Sequence, residues 1–150
     1  MNLEGADALL STHFAENWPH TEIAWQNIDP RAWTQPGQPL LPEGEDDFLI
    51  VRSELVGNRT VTVPAICVRS QVQYLFSVCV KQGTGTRQAK KWLDHLVDLL
   101  ENVTLRDMGG TLRISTMIGS TGYAAENGWH VEEASFMVYF ERHVPARGVS

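Results

Sequence analysis

Apolar and polar positions alternate with two different periods along this chain, and the switches between them mark its elements. Leu3, Ala6, Leu10 and Phe14 recur at three- and four-residue steps, which predicts a first helix over residues 3–16. Trp18-Pro19 ends it, because proline disfavours the helical conformation of the residue before it. A short strand is expected at 21–28. Residues 29–47 lose all periodicity and hold Pro30, Pro36, Gly37, Pro39 and Pro42 before the acidic run Glu43-Gly-Glu-Asp-Asp47. That pattern predicts a long loop, a feature that is usually functional or mobile in a compact domain.

From Phe48 to Val80 the period becomes two. Leu49, Val51 and Leu55 alternate with Arg52 and Glu54, and Val72, Tyr74, Phe76, Val78 and Val80 share one face of a second strand. Gly57-Asn58 has the chemistry of a turn between strands. The helical period returns over 86–102, where Ala89, Trp92, Leu93, Leu96, Val97 and Leu100 form an unbroken apolar stripe. Strands at 111–118 and 129–142 follow, separated by the Gly/Ser/Asn-rich residues 119–128. The order of helix, strands, helix, strands favours an α+β fold: a mainly antiparallel sheet with two helices packed on one face. One domain over 1–142 and a loose tail over 143–150 complete the expected layout.

Composition narrows the function. The 150 residues are 43% hydrophobic and 20% charged, ordinary values for a globular domain of a size that folds without metal or disulfide. The apolar runs are too short to span a bilayer, and the N-terminus, with Glu4 and Asp7 and no basic start, does not read as a signal peptide. Cys67 and Cys79 fall in apolar strands and are expected to be reduced packing residues. A net charge of −6 argues against a general nucleic-acid binder.

Catalytic and metal motifs are missing from the sequence. His13, His20, His95, His130, His143 and the two cysteines form neither a CxxC pair nor an HExxH helix, so no metal and no cofactor are expected. No GxSxG elbow exists, and Glu132 and Glu133 fall on opposite faces of one strand. Gly83-Thr-Gly-Thr86 precedes the second helix and could cradle an anion, yet it matches neither GxxxxGK[ST] nor GxGxxG. A tight turn with Thr84 or Thr86 as helix cap is the plainer reading. The enzyme alternative, a small phosphate- or nucleotide-binding protein, rests on this turn alone.

The second helix carries its charges against its dipole. Arg87, Lys90 and Lys91 crowd its start while Asp94, Asp98 and Glu101 follow, each misplaced exposed charge costing about 0.3–1 kcal/mol. A solvated face tolerates this. The sharper reading is a basic patch that meets Glu43, Glu45, Asp46 and Asp47 of a neighbouring copy. Trp33 and Tyr123, in expected loops, are candidate interface anchors or ordinary half-buried aromatics.

Several segments in this order resemble the phage tail terminator proteins, the group related to the lambda minor tail protein U. They are Ile23-Ala-Trp-Gln-Asn27 after the first helix, the Pro/Gly loop, the Gly83-Thr-Gly-Thr86 turn before an amphipathic helix, and the last strand opening at Gly128-Trp129. The resemblance covers most of 1–142, with a more acidic 43–47 segment and a long 29–47 loop as departures. It implies a small α+β subunit without catalytic residues that forms a homo-oligomeric, hexameric ring in the virion. Such a ring caps the tail tube protein, stops tube growth and offers a surface to the head–tail connector, while DNA passes its lumen without specific binding. A head-completion or neck protein is the alternative within the virion.

Overall fold

In the computed structural model, residues 2–25, 34–35, 38–39, 47–62, 66–81, 86–106, 110–124 and 128–144 are described. Helix α1 (Asn2–Asn17) buries Ala6, Leu10 and Phe14, the predicted stripe, and closes with the Trp18 amide donating to the Phe14 carbonyl at 2.8 Å. Strand β1 (Glu22–Trp25) follows, then a two-stranded hairpin of β2 (Thr34–Gln35) and β3 (Gln38–Pro39) inside the segment expected to be loop. β4 (Phe48–Thr62) and β5 (Ile66–Lys81) pair antiparallel along almost their whole length. Helix α2 (Thr86–Leu100) buries Ala89, Leu93, Leu96 and Leu100. Three strands complete the chain: β6 (Thr104–Arg106), β7 (Gly110–Ala124) and β8 (Trp129–Val144).

The expectation of a mainly antiparallel sheet with two helices on one face is overturned. Strands dominate the chain and form one curled, mixed six-stranded sheet, half of a barrel, in the order β1-β4-β5-β8-β7-β6. β1 runs parallel to β4, with Glu22 opposite Phe48 and Trp25 opposite Val51. Alternating hydrophobicity marks a strand and its buried face but carries no information on direction, so this pairing is invisible in the periodicity. The curl has a local cause as well. Register shifts interrupt β4–β5 between Leu55 and Gly57 and between Thr60 and Thr62, and β7–β8 on either side of Met117. An extra residue on one strand bends it and increases its twist.

The same irregularities explain two further corrections. Gly57 and Asn58 do not turn the chain; they continue β4 opposite Gln71 and Ser70, just after a bulge. Residues 119–124 likewise continue β7, paired with β8 from Ser135 to His130, although Gly119, Ser120 and Gly122 read as a loop.

One apolar cluster joins Leu10 and Phe14 of α1 and Leu96 and Leu100 of α2 to alternate residues of the sheet: Leu49 and Val51, 72 through 80 of β5, Leu112 and Ile114, and Ala134 through Phe140. A smaller cluster lies on the other side of the strands, where Ala24, Phe48, Ile50, Cys79, Trp129 and Val131 are buried with Tyr123 beside them. Phe48 meets the Trp129 ring edge-on at 5.1 Å. Two-sided burial accounts for the unbroken apolar run Phe48-Leu49-Ile50-Val51. Cys79 is a buried thiol that donates to the Ser77 carbonyl at 3.7 Å, while the Cys67 side chain lies outside the described residues.

α2 ends at a left-handed residue. Asn102 has φ of 59°, the Val103 amide returns to the Leu100 carbonyl at 3.1 Å, and Thr116 Oγ1 donates to Asn102 Oδ1 at 3.3 Å. Asparagine tolerates this conformation better than other residues with a side chain.

Candidate functional site

The basic start of α2 is where the charge order places it. Thr86, Arg87, Lys90 and Lys91 line a shallow open depression of about 630 Å³ together with Asp94. Arg87, Lys90 and Lys91 are all exposed, and the first turn of the helix holds no acidic residue. The arrangement concentrates positive charge at a helix start whose own dipole is positive, so its natural complement is an anionic surface.

Asp47, the last residue of the acidic run, is held within its own chain. Its Oδ1 accepts the Lys81 amide at 3.1 Å, which ties the start of β4 to the end of β5. Trp33, Glu43, Glu45, Asp46 and Thr84 lie outside the described residues. Tyr123 belongs to a different place: on β7, opposite Val131 of β8, it packs half-buried against the smaller apolar cluster. Its phenol is pushed up to about 12, chiefly by burial and then by the charges of Glu133 and Cys79, with Arg52 pulling the other way.

That side of the sheet holds polar groups that periodicity did not flag. Ser77, buried, donates to Glu133 Oε2 at 2.7 Å. Arg52, Ser53, Glu54, Gln73, Leu75 and Ser135 line a cavity of about 400 Å³, and the Nε and Nη2 of Arg52 are buried there without an acceptor among the described residues. Glu132, on the opposite face from Glu133, is buried and lies 3.1 Å from His130 Nε2. Its carboxylate occupies the space a side chain would need at Gly122.

A third group links α1 to α2. His20 Nε2 lies 2.7 Å from His95 Nδ1, so one ring donates and the other must be unprotonated at that atom. Trp18 stacks on His95 at 5.6 Å, and Trp92 stacks on His20 at 5.5 Å. Nearby, His13 Nε2 donates to the Leu99 carbonyl at 2.9 Å, which fixes its tautomer. His20 and His95 are 75 positions apart, and only the docking of α2 beside the end of α1 brings them together. Among the described residues no group of three His, Cys, Asp or Glu side chains could hold a metal ion, and no helix is long and apolar enough to cross a membrane.

No protein-family model matches the chain, and no curated protein matches it. Solved structures do share its fold. One is a chain from the virion of a native gene transfer agent (GTA) particle, 11% identical, with a TM-score of 0.59 over 93% of this chain and 95% of that one. Another solved chain is 14% identical, with a TM-score of 0.58 over 93% of this chain and 97% of its own length. At these identities the likeness is one of fold, extending over nearly the whole of each chain.

Proposed function

We propose that this chain is a structural subunit of a phage-type virion and, within it, the tail terminator: a homo-oligomeric, hexameric ring that caps the tail tube. The ring stops tube elongation and presents the surface on which the head–tail connector docks. The observation that carries this reading is the end-to-end fold shared with a chain of a gene transfer agent virion, 93% of this chain against 95% of that one. The order of segments resembling the tail terminators supplies the finer assignment.

The residues fit such a part. A net charge of −6 suits a ring whose lumen lets DNA slide, because like charge keeps phosphates from sticking. The exposed Arg87, Lys90 and Lys91 offer a local basic patch to an anionic neighbour in an otherwise acidic subunit.

Mass photometry of the purified chain, alone and with tail tubes, tests the reading directly. A closed ring that binds tube ends is the expected result. Loss of the protein from an infecting phage should give overlong tails. Tails of normal length that fail to join heads would instead identify a neck protein. A monomer whose melting temperature rises strongly with nucleotide would overturn the structural role, since a ligand that binds only the native state stabilises it.

A further inference from the structure

The two ends of the six-stranded sheet have complementary stepped profiles. At one end β1 covers β4 only from Phe48 to Val51. Among the described residues, no strand lies beside residues 52–62 of β4 on that side. At the other end β6 covers β7 only from Thr111 to Arg113. The chain just ahead of β6 adds backbone bonds at Ile114 and Ser115, and Glu101 Oε2 accepts the Met117 amide. Beyond that, residues 118–124 of β7 have no strand beside them on the side away from β8 among the described residues.

Register places the two steps at one height. Val51 pairs with Phe76, Phe76 with Ala134, and Ala134 with Ser120; from Phe48 the same path leads through Cys79 and Val131 to Tyr123. The projecting β1 is therefore level with the open stretch of β7. The projecting β6, opposite Thr111 and Arg113, is level through Glu141 and Tyr139, then Arg69 and Gln71, with Arg59 and Gly57 in the open stretch of β4. Each open stretch also displays a large β-branched side chain, Val56 at 54% exposure and Ile118 at 56%. Residues 118–124 contain neither a charge nor a proline, the devices that ordinarily blunt a sheet edge.

We infer that copies of this chain join head to tail through these edges, which makes the sheet continuous from one subunit to the next. β1 of one copy lies beside residues 118–124 of its neighbour's β7, and the neighbour's β6 lies beside residues 52–62 of β4. Strand senses agree with this: β4 and β7 run in opposite directions within the sheet, so the first contact is antiparallel and the second parallel. The joint is heterologous, with a different surface on each side, and such a joint gives a ring when its rotation closes. This inference rests on the ring reading and names the contact that reading requires.

The test uses Val56→Lys and Ile118→Lys in the full chain. Both side chains are more than half exposed, so each variant should keep the wild-type circular dichroism and melting curve. Each alone should lose roughly tenfold or more in association per joint and fall to monomers by mass photometry. Mixed one to one, they should form a heterodimer and stop there, because each supplies one intact end. Amide exchange should show those amides of residues 52–62 and 118–124 that face away from β5 and β8 protected in the wild-type assembly and unprotected in the variants. Rings from either variant alone, or wild-type rings in which those outward-facing amides stay unprotected, overturn the joint and leave the ring reading intact. A wild-type chain that stays monomeric with and without tail tubes overturns both.

Discussion

The phenol of Tyr74, in the middle of β5, donates a 2.6 Å hydrogen bond to Oδ1 of Asp7 on α1. Ser53, opposite Tyr74 on β4, bonds the same phenol. Burial pushes the Tyr74 phenol far up, with the Asp7 charge adding to it, so the group stays protonated and remains a donor. Burial also raises the Asp7 carboxyl above its ordinary 3.8, only partly offset by the Tyr74 bond.

The signs of two substitutions follow. Tyr74→Phe leaves a half-buried carboxylate without its donor and should cost about 1–3 kcal/mol by urea denaturation at pH 7. Asp7→Asn keeps an acceptor and removes the desolvated charge, so it should be at least as stable as wild type at pH 7. Folding favours the protonated Asp7, so the wild-type chain loses stability as pH rises from 3.8 through the raised folded value. Asp7→Asn should remove that slope, and an unchanged slope would place the titration elsewhere.

The His20–His95 pair gives a dependence of opposite sign. Burial, then the charges of His95 and Lys91, lowers His20 below its ordinary 6.5. Between the folded value and 6.5 the unfolded chain binds more protons, so stability should rise with pH across that window and level off above it. His20→Gln should flatten the curve near pH 6 in denaturation midpoints, and the His20 ring resonances in NMR should titrate below those of an unfolded-chain control.

Arg52 bears two buried donors with no acceptor among the described residues, a costly state for a charged group. Arg52→Met keeps the stem and removes those donors, so the isolated chain should gain about 1 kcal/mol. The same change removes the charge that pulls the Tyr123 phenol down. Ultraviolet titration of the tyrosinate should then show Tyr123 ionising above its value of about 12. A destabilised Arg52→Met chain would mean the guanidinium has an acceptor after all.

Gly110 opens β7 where nothing larger fits. A Cβ there would run into the Glu141 carbonyl and come within 2.9 Å of the Phe140 ring. Neither is a free side-chain tip: one is backbone of the paired strand and the other a buried core ring. Gly110→Ala should cost about 1–3 kcal/mol, the usual range for overpacking, read as a lower urea midpoint with unchanged slope.

Much of this was legible wherever a residue's environment depends on near neighbours in sequence. The α2 stripe of Ala89, Leu93, Leu96 and Leu100 is buried as its spacing required, and so is the face of β5 from Val72 to Val80. Arg87, Lys90 and Lys91 share one depression because positions three and four apart share a helix face. Features set by distant pairing were not legible. Gly57-Asn58 and residues 119–124 have turn composition, and only the ladders to β5 and β8 hold them extended. The direction of β1, the bond from Tyr74 to Asp7 and the burial of Arg52 beside Gln73 and Ser135 depend on residues far along the chain. Tyr123 proved separate from the basic patch for the same reason: it sits on β7, opposite Val131 and packed against the smaller apolar cluster.

β5 is flanked along its length by β4 and β8, and near Val78–Val80 it buries side chains on both of its faces. No part of that strand can detach without parting two ladders, and around Cys79 it would wet two separate apolar clusters. Its amides should therefore exchange only when the entire molecule unfolds, while the end strands open and close freely. A chain built this way keeps a rigid spine while its rims stay adaptable.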